Sequence, residues 1–317
     1  MKRRGFDAKL VVLLAIGLLF LALPQFIHSS FWLGFWTMAL FFALLGQSWN
    51  VLGGFGGQIS FGHAVFFGTG AYTSAVLQVK FGIDAWTSAA VAVGAGASVG
   101  AFIGAVSFRY GLRGSYFALV TLAFAEVFRV LVNAWDFTGA GFGMLIALKP
   151  GAANLQFVDR VWFYYLILAL VAITLAIAWW IEHSRFGAYL IAVREDEDAA
   201  QALGINCFRV KLAAITLSAA LAALAGIFYM QYFLFVDSHI AYGPAMSINA
   251  LLAPMIGGMG TVLGPLIGAV ALGGLSEFTS AAIGKTPGVN LLAYGILLLI
   301  ILRFLPNGLM GLFRGRA

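Results

Sequence analysis

The chain has 317 residues, of which 62% are hydrophobic and only 9% charged, with 18 basic and 12 acidic groups and a net charge of +6. A soluble domain carries about 25% charged residues, and a soluble globule of this size would have to cover roughly 13,000 Å² with these few ionised groups. A cytosolic enzyme, a nucleic-acid binder and a disordered tail are thereby excluded, and a polytopic α-helical membrane protein is left.

The chain opens on Lys2, Arg3 and Arg4, followed by an apolar run over 10–27. This resembles the start of a secretory signal. No small-x-small cleavage site follows and the run is long enough to span a bilayer, so a retained first helix with a cytoplasmic basic end is expected. Further apolar windows fall at 31–52, 61–79, 85–107, 115–133, 161–181, 210–236, 245–257, 262–282 and 289–305. They continue without the alternation of polarity that a transmembrane barrel needs. The pattern predicts an all-α fold of about ten transmembrane helices in a single membrane domain, 1–317, with connecting loops at 134–160 and 182–211. One cysteine, Cys207, permits no internal disulfide and no cysteine-ligated cluster.

With the N-terminus inside, the cytoplasmic ends receive Lys2, Arg3, Arg4, Lys9, Arg109, Arg113, Arg185, Arg194, Arg209, Lys211, Arg303, Arg314 and Arg316. The outside receives only Lys80, Lys149, Arg160 and Lys285. This asymmetry places both termini and the 182–211 loop in the cytoplasm, and the 134–160 loop outside. Removing the short window 245–257 would carry Arg314 and Arg316 outside, so charge supports that segment more than hydropathy does.

The outer loop holds Thr138-Gly139-Ala140-Gly141-Phe142-Gly143, a turn-forming run. The inner loop is the one charge-dense stretch. Glu195-Asp196-Glu197-Asp198 followed by Ala199-Ala200-Gln201-Ala202-Leu203 predicts a short helix, because carboxylates in a first turn complement the helix dipole, and Gly204 suits its C-terminal cap. Such a segment reads either as a solvated connection or as a helix that needs a partner surface.

Asn50 through His63 is polar and glycine-rich between two apolar windows. Irregular backbone at membrane depth is tolerated where protein buries it or where it lines water, so Asn50, Gln58, Ser60 and His63 are candidates for a translocation path or a hinge. A second cluster, Gly257-Gly258-Met259-Gly260-Thr261, repeats the Gly-Gly-x-Gly pattern, by descent or by chance. Tight helix packing is the alternative for both, and it suits the Gly96, Gly100, Gly104 series best. Glu126 and Arg129 lie three apart inside a window, on one helical face. They form either a mutually neutralised ion pair or a proton or substrate site. His63 is a packing residue or a path residue on the same reasoning.

Motifs for chemistry are missing. Gly284-Lys285-Thr286 mimics the end of a phosphate loop, but Thr279 stands where its first glycine belongs. There is no zinc-protease motif, no nucleophile elbow and no carboxylate pair set for acid–base work, so no catalytic, cofactor or metal residues are assigned. A transporter needs none of them.

The run Gly57-Gln58-Ile59-Ser60-Phe61-Gly62-His63-Ala64 with Phe67-Gly68-Thr69-Gly70-Ala71-Tyr72 resembles the LivM-type permease of branched-chain amino acid ABC importers. So do Leu112 to Ala118, Leu122 to Glu126, Arg194 to Asn206, Ile256 to Pro265 and Phe304 to Leu309. The resemblance implies a type II importer permease in a bacterial inner membrane, a LivH-type second permease, two cytoplasmic ATPases that bind the ATP and magnesium, and a periplasmic solute-binding protein. It implies no cofactor and no nucleic acid for this chain, with membrane lipid around it. Asp198-Ala199-Ala200-Gln201-Ala202-Leu203-Gly204 is similar to the Glu-Ala-Ala-x-x-x-Gly coupling motif, with Asp198 in place of the usual glutamate. Glu197, Asp198, Ala199, Ala200 and Gly204 are accordingly expected to dock an ATPase. Permeases of this kind also carry urea, short amides and aromatic acids, so the solute stays open; a proton-coupled secondary transporter using Glu126 and His63 is the alternative from another class.

Overall fold

Two helices built on small residues set the frame. In the computed structural model, which describes residues 17–27, 29–283, 308–313 and the single positions 292, 295, 296, 299, 303 and 304, helix α4 (Ala85–Arg109) lies against α9 (Cys207–Phe233). Gly96, Gly100 and Gly104 form the contact stripe of α4. A Cβ at Gly96 would fall 2.5 Å from the Ala223 Cβ, one at Gly100 would strike the Ala219 Cβ, and one at Gly104 would fall 2.5 Å from Ile215 Cγ2. Without a hydrophobic force between helices in lipid, this close approach is what holds them, through dispersion.

Helix α3 (Ala64–Phe81) packs on the same pair, and α5 (Gly114–Ala134) and the short α10 (Ser238–Tyr242) flank it. A second group consists of α2 (Ser30–Trp49), α6 (Arg160–His183), α11 (Pro244–Gly257) and α12 (Gly264–Ile283), joined to the first where α2 meets α9. A ten-residue helix α1, Gly17–Phe26, lies at the start of the described chain, and its Phe20 carbonyl accepts from the buried Tyr164 hydroxyl at 2.6 Å. The seam between the groups is filled with fully buried rings, among them Phe41, Trp49, Phe66 and Phe67.

Among the described residues, five helical spans are long and apolar enough to cross a membrane: Ser30–Phe55, Ala85–Arg109, Gly114–Ala134, Arg160–His183 and Cys207–Phe233. Helix α3, at 18 residues, is shorter and more polar, which its position between α4, α9 and α10 permits. The chain is a multi-pass, all-α membrane protein. The expectations for residues 1–16 and for most of 289–305 lie outside the described residues.

Boundaries differ from expectation where the backbone changes type. The 31–52 window runs on to Phe55 through a π-helical turn, Asn50–Phe55, and the 61–79 window turns helical only at Ala64. The 210–236 window stops at Phe233 because Leu234 takes a left-handed φ of 55°; Phe235–Val236 then pairs antiparallel with Met144–Leu145. The stretch expected as a loop at 182–211 holds two helices, α7 (Arg185–Glu195) and α8 (Glu197–Ala202). It stands at the opposite end of the bundle from the small sheet.

Candidate functional site

At the α7 end, three distant parts of the chain meet on Asn50. Its Oδ1 accepts from the Gly260 N–H at 2.8 Å and its Nδ2 donates to the Thr261 carbonyl at 3.0 Å. The two Gly-Gly-x-Gly segments are thereby pressed together: a Cβ at Gly54 would collide with Asn50 Oδ1 and come within 2.6 Å of the Gly260 nitrogen. From α7, Arg194 donates through Nη1 to the Gly54 carbonyl at 3.0 Å and pairs through Nη2 with Glu195 at 2.6 Å. The sequence placed Arg194 at the head of the charged run, but nothing in it pointed to a bond with Gly54.

The short helix follows directly. Asp196 caps it, its Oδ1 accepting from the Asp198 and Ala199 N–H groups at 3.0 Å each, as an N-cap aspartate does. At the other end the Gly204 N–H reaches the Gln201 carbonyl and the Ile205 N–H reaches the Ala200 carbonyl, a Schellman closure that needs Gly204 at φ 85°. Glu197 turns inward to Lys211 of α9 at 2.6 Å and to Arg113 at 3.0 Å. Lys211 also lies over the Phe108 ring, 5.0 Å from its centre. Asp198 is exposed and takes Arg113 from outside at 3.2 Å; that bond, with the Glu197 charge nearby, raises the Arg113 guanidinium above its ordinary range. Ala200 is only 2% exposed and joins the protein's own core. The outward face of α8 is therefore Asp198, Ala199, Gln201 and Ala202, with Leu203 beyond them at 83% exposure.

The segment between α2 and α3 is extended, and its residues alternate. Gln58, Ser60 and Gly62 are buried, whereas Ile59 and Phe61 are exposed. Thr121 of α5 accepts from the Phe61 and Gly62 N–H groups at 3.2 and 3.3 Å, Ser247 of α11 accepts from Ala64 at 2.9 Å, and the Ser60 carbonyl accepts from the Trp49 indole at 2.8 Å. Protein groups thus take the Phe61, Gly62 and Ala64 N–H groups and the Ser60 carbonyl of this irregular backbone. His63 is fully buried, with Nε2 3.2 Å from the Ser218 hydroxyl, which itself donates to the Ser48 carbonyl at 2.6 Å. The path candidates Gln58, Ser60 and His63 all stand behind the surface that Ile59 and Phe61 form. The period of two across Ile59-Ser60-Phe61-Gly62 was the available signal for that surface.

Glu126 and Arg129 form a two-bond ion pair, Nε to Oε2 at 2.8 Å and Nη2 to Oε1 at 2.6 Å, and Arg129 Nη1 lies 3.3 Å from His239 Nδ1 on α10. Glu126 and His63 belong to separate surroundings, one exposed and one sealed. No cluster able to hold a metal ion occurs among the described residues.

A family model described as the permease component of branched-chain amino acid transport systems matches residues 31–302. The high-affinity branched-chain amino acid transport system permease protein LivM of Salmonella typhimurium is 31% identical over 302 residues, 88% of this chain and 69% of that protein. The LivH permease protein of the corresponding system in Escherichia coli (strain K12) is 28% identical over 296 residues, 87% of this chain and 92% of that protein. The autoinducer 2 import system permease protein LsrC of Salmonella paratyphi B is 27% identical over 161 residues, 49% of this chain and 44% of that protein. No solved structure matches.

Proposed function

The chain belongs to the family of permease components of branched-chain amino acid transport systems, and from that premise we propose that it carries branched-chain amino acids inward as half of a paired translocation pathway. It is a permease subunit of an ATP-driven importer and not an enzyme. Its second half is a LivH-type permease; two cytoplasmic ATPases hold the ATP and magnesium, and a periplasmic binding protein delivers the solute. The chain lies in the bacterial inner membrane with both termini and α7–α8 in the cytoplasm, the orientation that the basic residues favour. The observation that carries this reading is similarity along nearly the whole chain to a permease of that transport system.

In this reading the outward face of α8 enters a cleft of the ATPase, and its movement reaches the membrane through two ties. Glu197 holds α9 and the start of α5 through Lys211 and Arg113, and Arg194 holds the joint at Gly54. The 57–63 segment borders the route, with Ile59 and Phe61 on its surface, Gln58, Ser60 and His63 behind them, and Asn50 holding the adjoining Gly260-Thr261 turn. Similarity to LsrC favours one second reading, an importer of the same build for another small solute.

The test is copurification of the tagged chain in mild detergent, followed by uptake in proteoliposomes of leucine, isoleucine and valine against urea, acetamide and benzoate. Recovery of a second permease and two ATPases with ATP-dependent leucine uptake is expected. Transport by this chain alone, without ATP, would mark a secondary transporter.

A further inference from the structure

Charged side chains at bilayer depth face a bundle interior, a partner or a water-filled cavity, not lipid. Glu126 lies about 18 Å along α5 from Gly114 and about 12 Å from its other end, well inside a hydrocarbon core of roughly 30 Å. Yet its side chain is 54% exposed on this chain, with Arg129 at 22%. Apart from His239, the exposed residues next to the pair in sequence on the two helices are apolar: Val127, Val130 and Leu131 of α5 and Ile240 of α10. Arg129 is turned back toward Glu126, which engages two of its nitrogens, rather than extended toward the membrane surface.

Three surroundings are conceivable for such a pair. Lipid is excluded because an ionised side chain in hydrocarbon is costly. A dry protein interface would desolvate both ions at several kcal/mol each and would have to match the acceptors and donors that the pair leaves free. Water is the cheapest neighbour, and in a paired permease the water-filled surface is the one shared by the two halves.

The unused bonding capacity has a definite shape. Each carboxylate oxygen of Glu126 keeps a lone pair after meeting Arg129, which suits an ammonium. Arg129 Nη1, beside His239, keeps a donor for a carboxylate. An acceptor and a donor of opposite charge, one helical turn apart, match the two charged ends of an α-amino acid. Because the pair neutralises itself, it attracts a zwitterion only weakly, and weak holding is what a route needs if the solute is to leave. We propose that Glu126, Arg129 and His239 form a transient polar station on a water-filled wall of this chain, holding the α-ammonium and α-carboxylate of a zwitterionic amino acid as it passes between the two permeases. Glu126 lies nearer the Ala134 end of α5 than the Gly114 end, and toward Gly114 the exposed face stays apolar at Leu119, Leu122 and Ala123, so in the proposed orientation the station belongs to the outer half of the route. The inference rests on the reading of the solute given above.

The experiment uses the whole complex in proteoliposomes. Val130→Cys, beside Arg129, is expected to react with a membrane-impermeant methanethiosulfonate added from outside, and saturating leucine is expected to slow it about tenfold; the one native thiol, Cys207, is buried. Glu126→Gln is expected to lower leucine uptake about tenfold. The double swap Glu126→Arg with Arg129→Glu rebuilds the ion pair with inverted polarity and is expected not to restore uptake. Uptake within about twofold of wild type in the swap would make the pair structural and overturn the inference. Labelling of Val130→Cys in the isolated chain but not in the complex would mean a dry interface, and labelling in neither would mean lipid; both overturn it. If Glu126→Gln fails to assemble, the Val130→Cys pattern decides alone. Wild-type complex that imports no leucine would overturn the reading of the solute, and this inference with it, whereas normal wild-type uptake that Glu126→Gln leaves untouched overturns this inference only.

Discussion

Arg194 donates to the main-chain carbonyl of Gly54 at 3.0 Å, so the last turn of α7 is fastened to the π-helical end of α2. The stem of the same side chain occupies the space a Cβ on Gly57 would need, and Gly260 lies on the other side of the contact. A tilt of α7 therefore pulls on backbone at the meeting point of α2 with the α11–α12 turn. Single π-helical turns recur at such functional places because their backbone is less tightly closed. A hydrogen bond from a charged group contributes about 1.5–3 kcal/mol, and the partial exposure of Arg194 puts this one at the low end. Arg194→Ala is expected to lower ATP-driven uptake about tenfold while the ATPases still copurify. Unchanged uptake would remove Arg194 from the transmission path, and lost copurification would move it to the docking face.

The Glu197–Lys211 pair makes a prediction about stability. Lys211 is 3% exposed and Glu197 16%, and breaking a buried pair by removing one partner typically costs about 3–5 kcal/mol. The two single variants are not equivalent. Glu197→Gln leaves an ammonium sealed beside Phe108, whereas Lys211→Met leaves a carboxylate that still has Arg113 at 3.0 Å. Thermal melting in detergent is expected to rank Glu197→Gln below Lys211→Met, with the double variant less destabilised than the sum of the two. A Glu197→Gln chain that melts with wild type would show that the pair carries no net stability.

What the sequence made legible follows its local periodicities. The Gly96, Gly100, Gly104 stripe recurs every four residues, so its packing role needed no partner to be seen. The acids of 195–198 and Gly204 marked both ends of α8. The glycines after Asn50 marked irregular backbone, but the π-turn at Asn50–Phe55 was not legible because the 31–52 window runs into it, and Gly260, which Asn50 holds, is 210 residues away. The burial of Ser60 and His63 was hidden for the same reason: polarity suggested water, but Thr121 and Ser247 take the neighbouring N–H groups of Phe61, Gly62 and Ala64, Ser218 meets His63 Nε2, and the Ser60 hydroxyl is simply enclosed. For Glu126 the spacing to Arg129 announced the pairing; its exposure depends on which face of α5 the bundle leaves uncovered.

Alanines 199 and 200 separate folding from docking. Ala200 points into the chain's own core and Ala199 points out, so a large cation at the two sites meets different surroundings. Overpacking a well-filled site costs about 1–3 kcal/mol, and a buried unpaired charge adds to it. Ala200→Arg is expected to reduce the yield of folded chain. Ala199→Arg is expected to leave yield intact and to strip the ATPases from the complex. Equal yields, with ATPases retained in both, would deny α8 a docking role. Ala199→Cys also reports the side of the membrane, which buried Cys207 does not: an impermeant thiol reagent added outside intact cells is expected to leave it unlabelled.

The alternation at 59–61 gives a sharp test of what faces the route. Phe61→Cys is expected to react with a small impermeant thiol reagent in the purified chain, and Ser60→Cys is expected to resist it. The Ser60 hydroxyl is buried and has no hydrogen-bond partner among the described residues, so Ser60→Ala is expected to transport normally. Reaction at Ser60→Cys at the rate of Phe61→Cys would return Ser60 to the solute path.

Asn50 offers the cleanest chemical substitution, because each half of its amide has one backbone partner. Asn50→Ala leaves the Gly260 N–H and the Thr261 carbonyl unpaired in a buried place, at about 1–3 kcal/mol for each group. Asn50→Asp is nearly the same size, keeps the acceptor for Gly260, and sets a carboxylate oxygen where Nδ2 now stands 3.0 Å from the Thr261 carbonyl. Two acceptors then oppose each other, and a charge is buried with one hydrogen bond and no cation. Arg194, the cation of this joint, is bonded to the Gly54 carbonyl and to Glu195. The isosteric variant is thus expected to be worse than the truncation: in thermal melts Asn50→Asp falls below Asn50→Ala, and Asn50→Ala below wild type. The defect of Asn50→Asp should ease at low pH, where protonation of the introduced carboxylate restores a donor toward the Thr261 carbonyl. If Asn50→Asp melts with wild type at neutral pH, Arg194 has swung to the new carboxylate, and the joint is held by charge rather than by the amide.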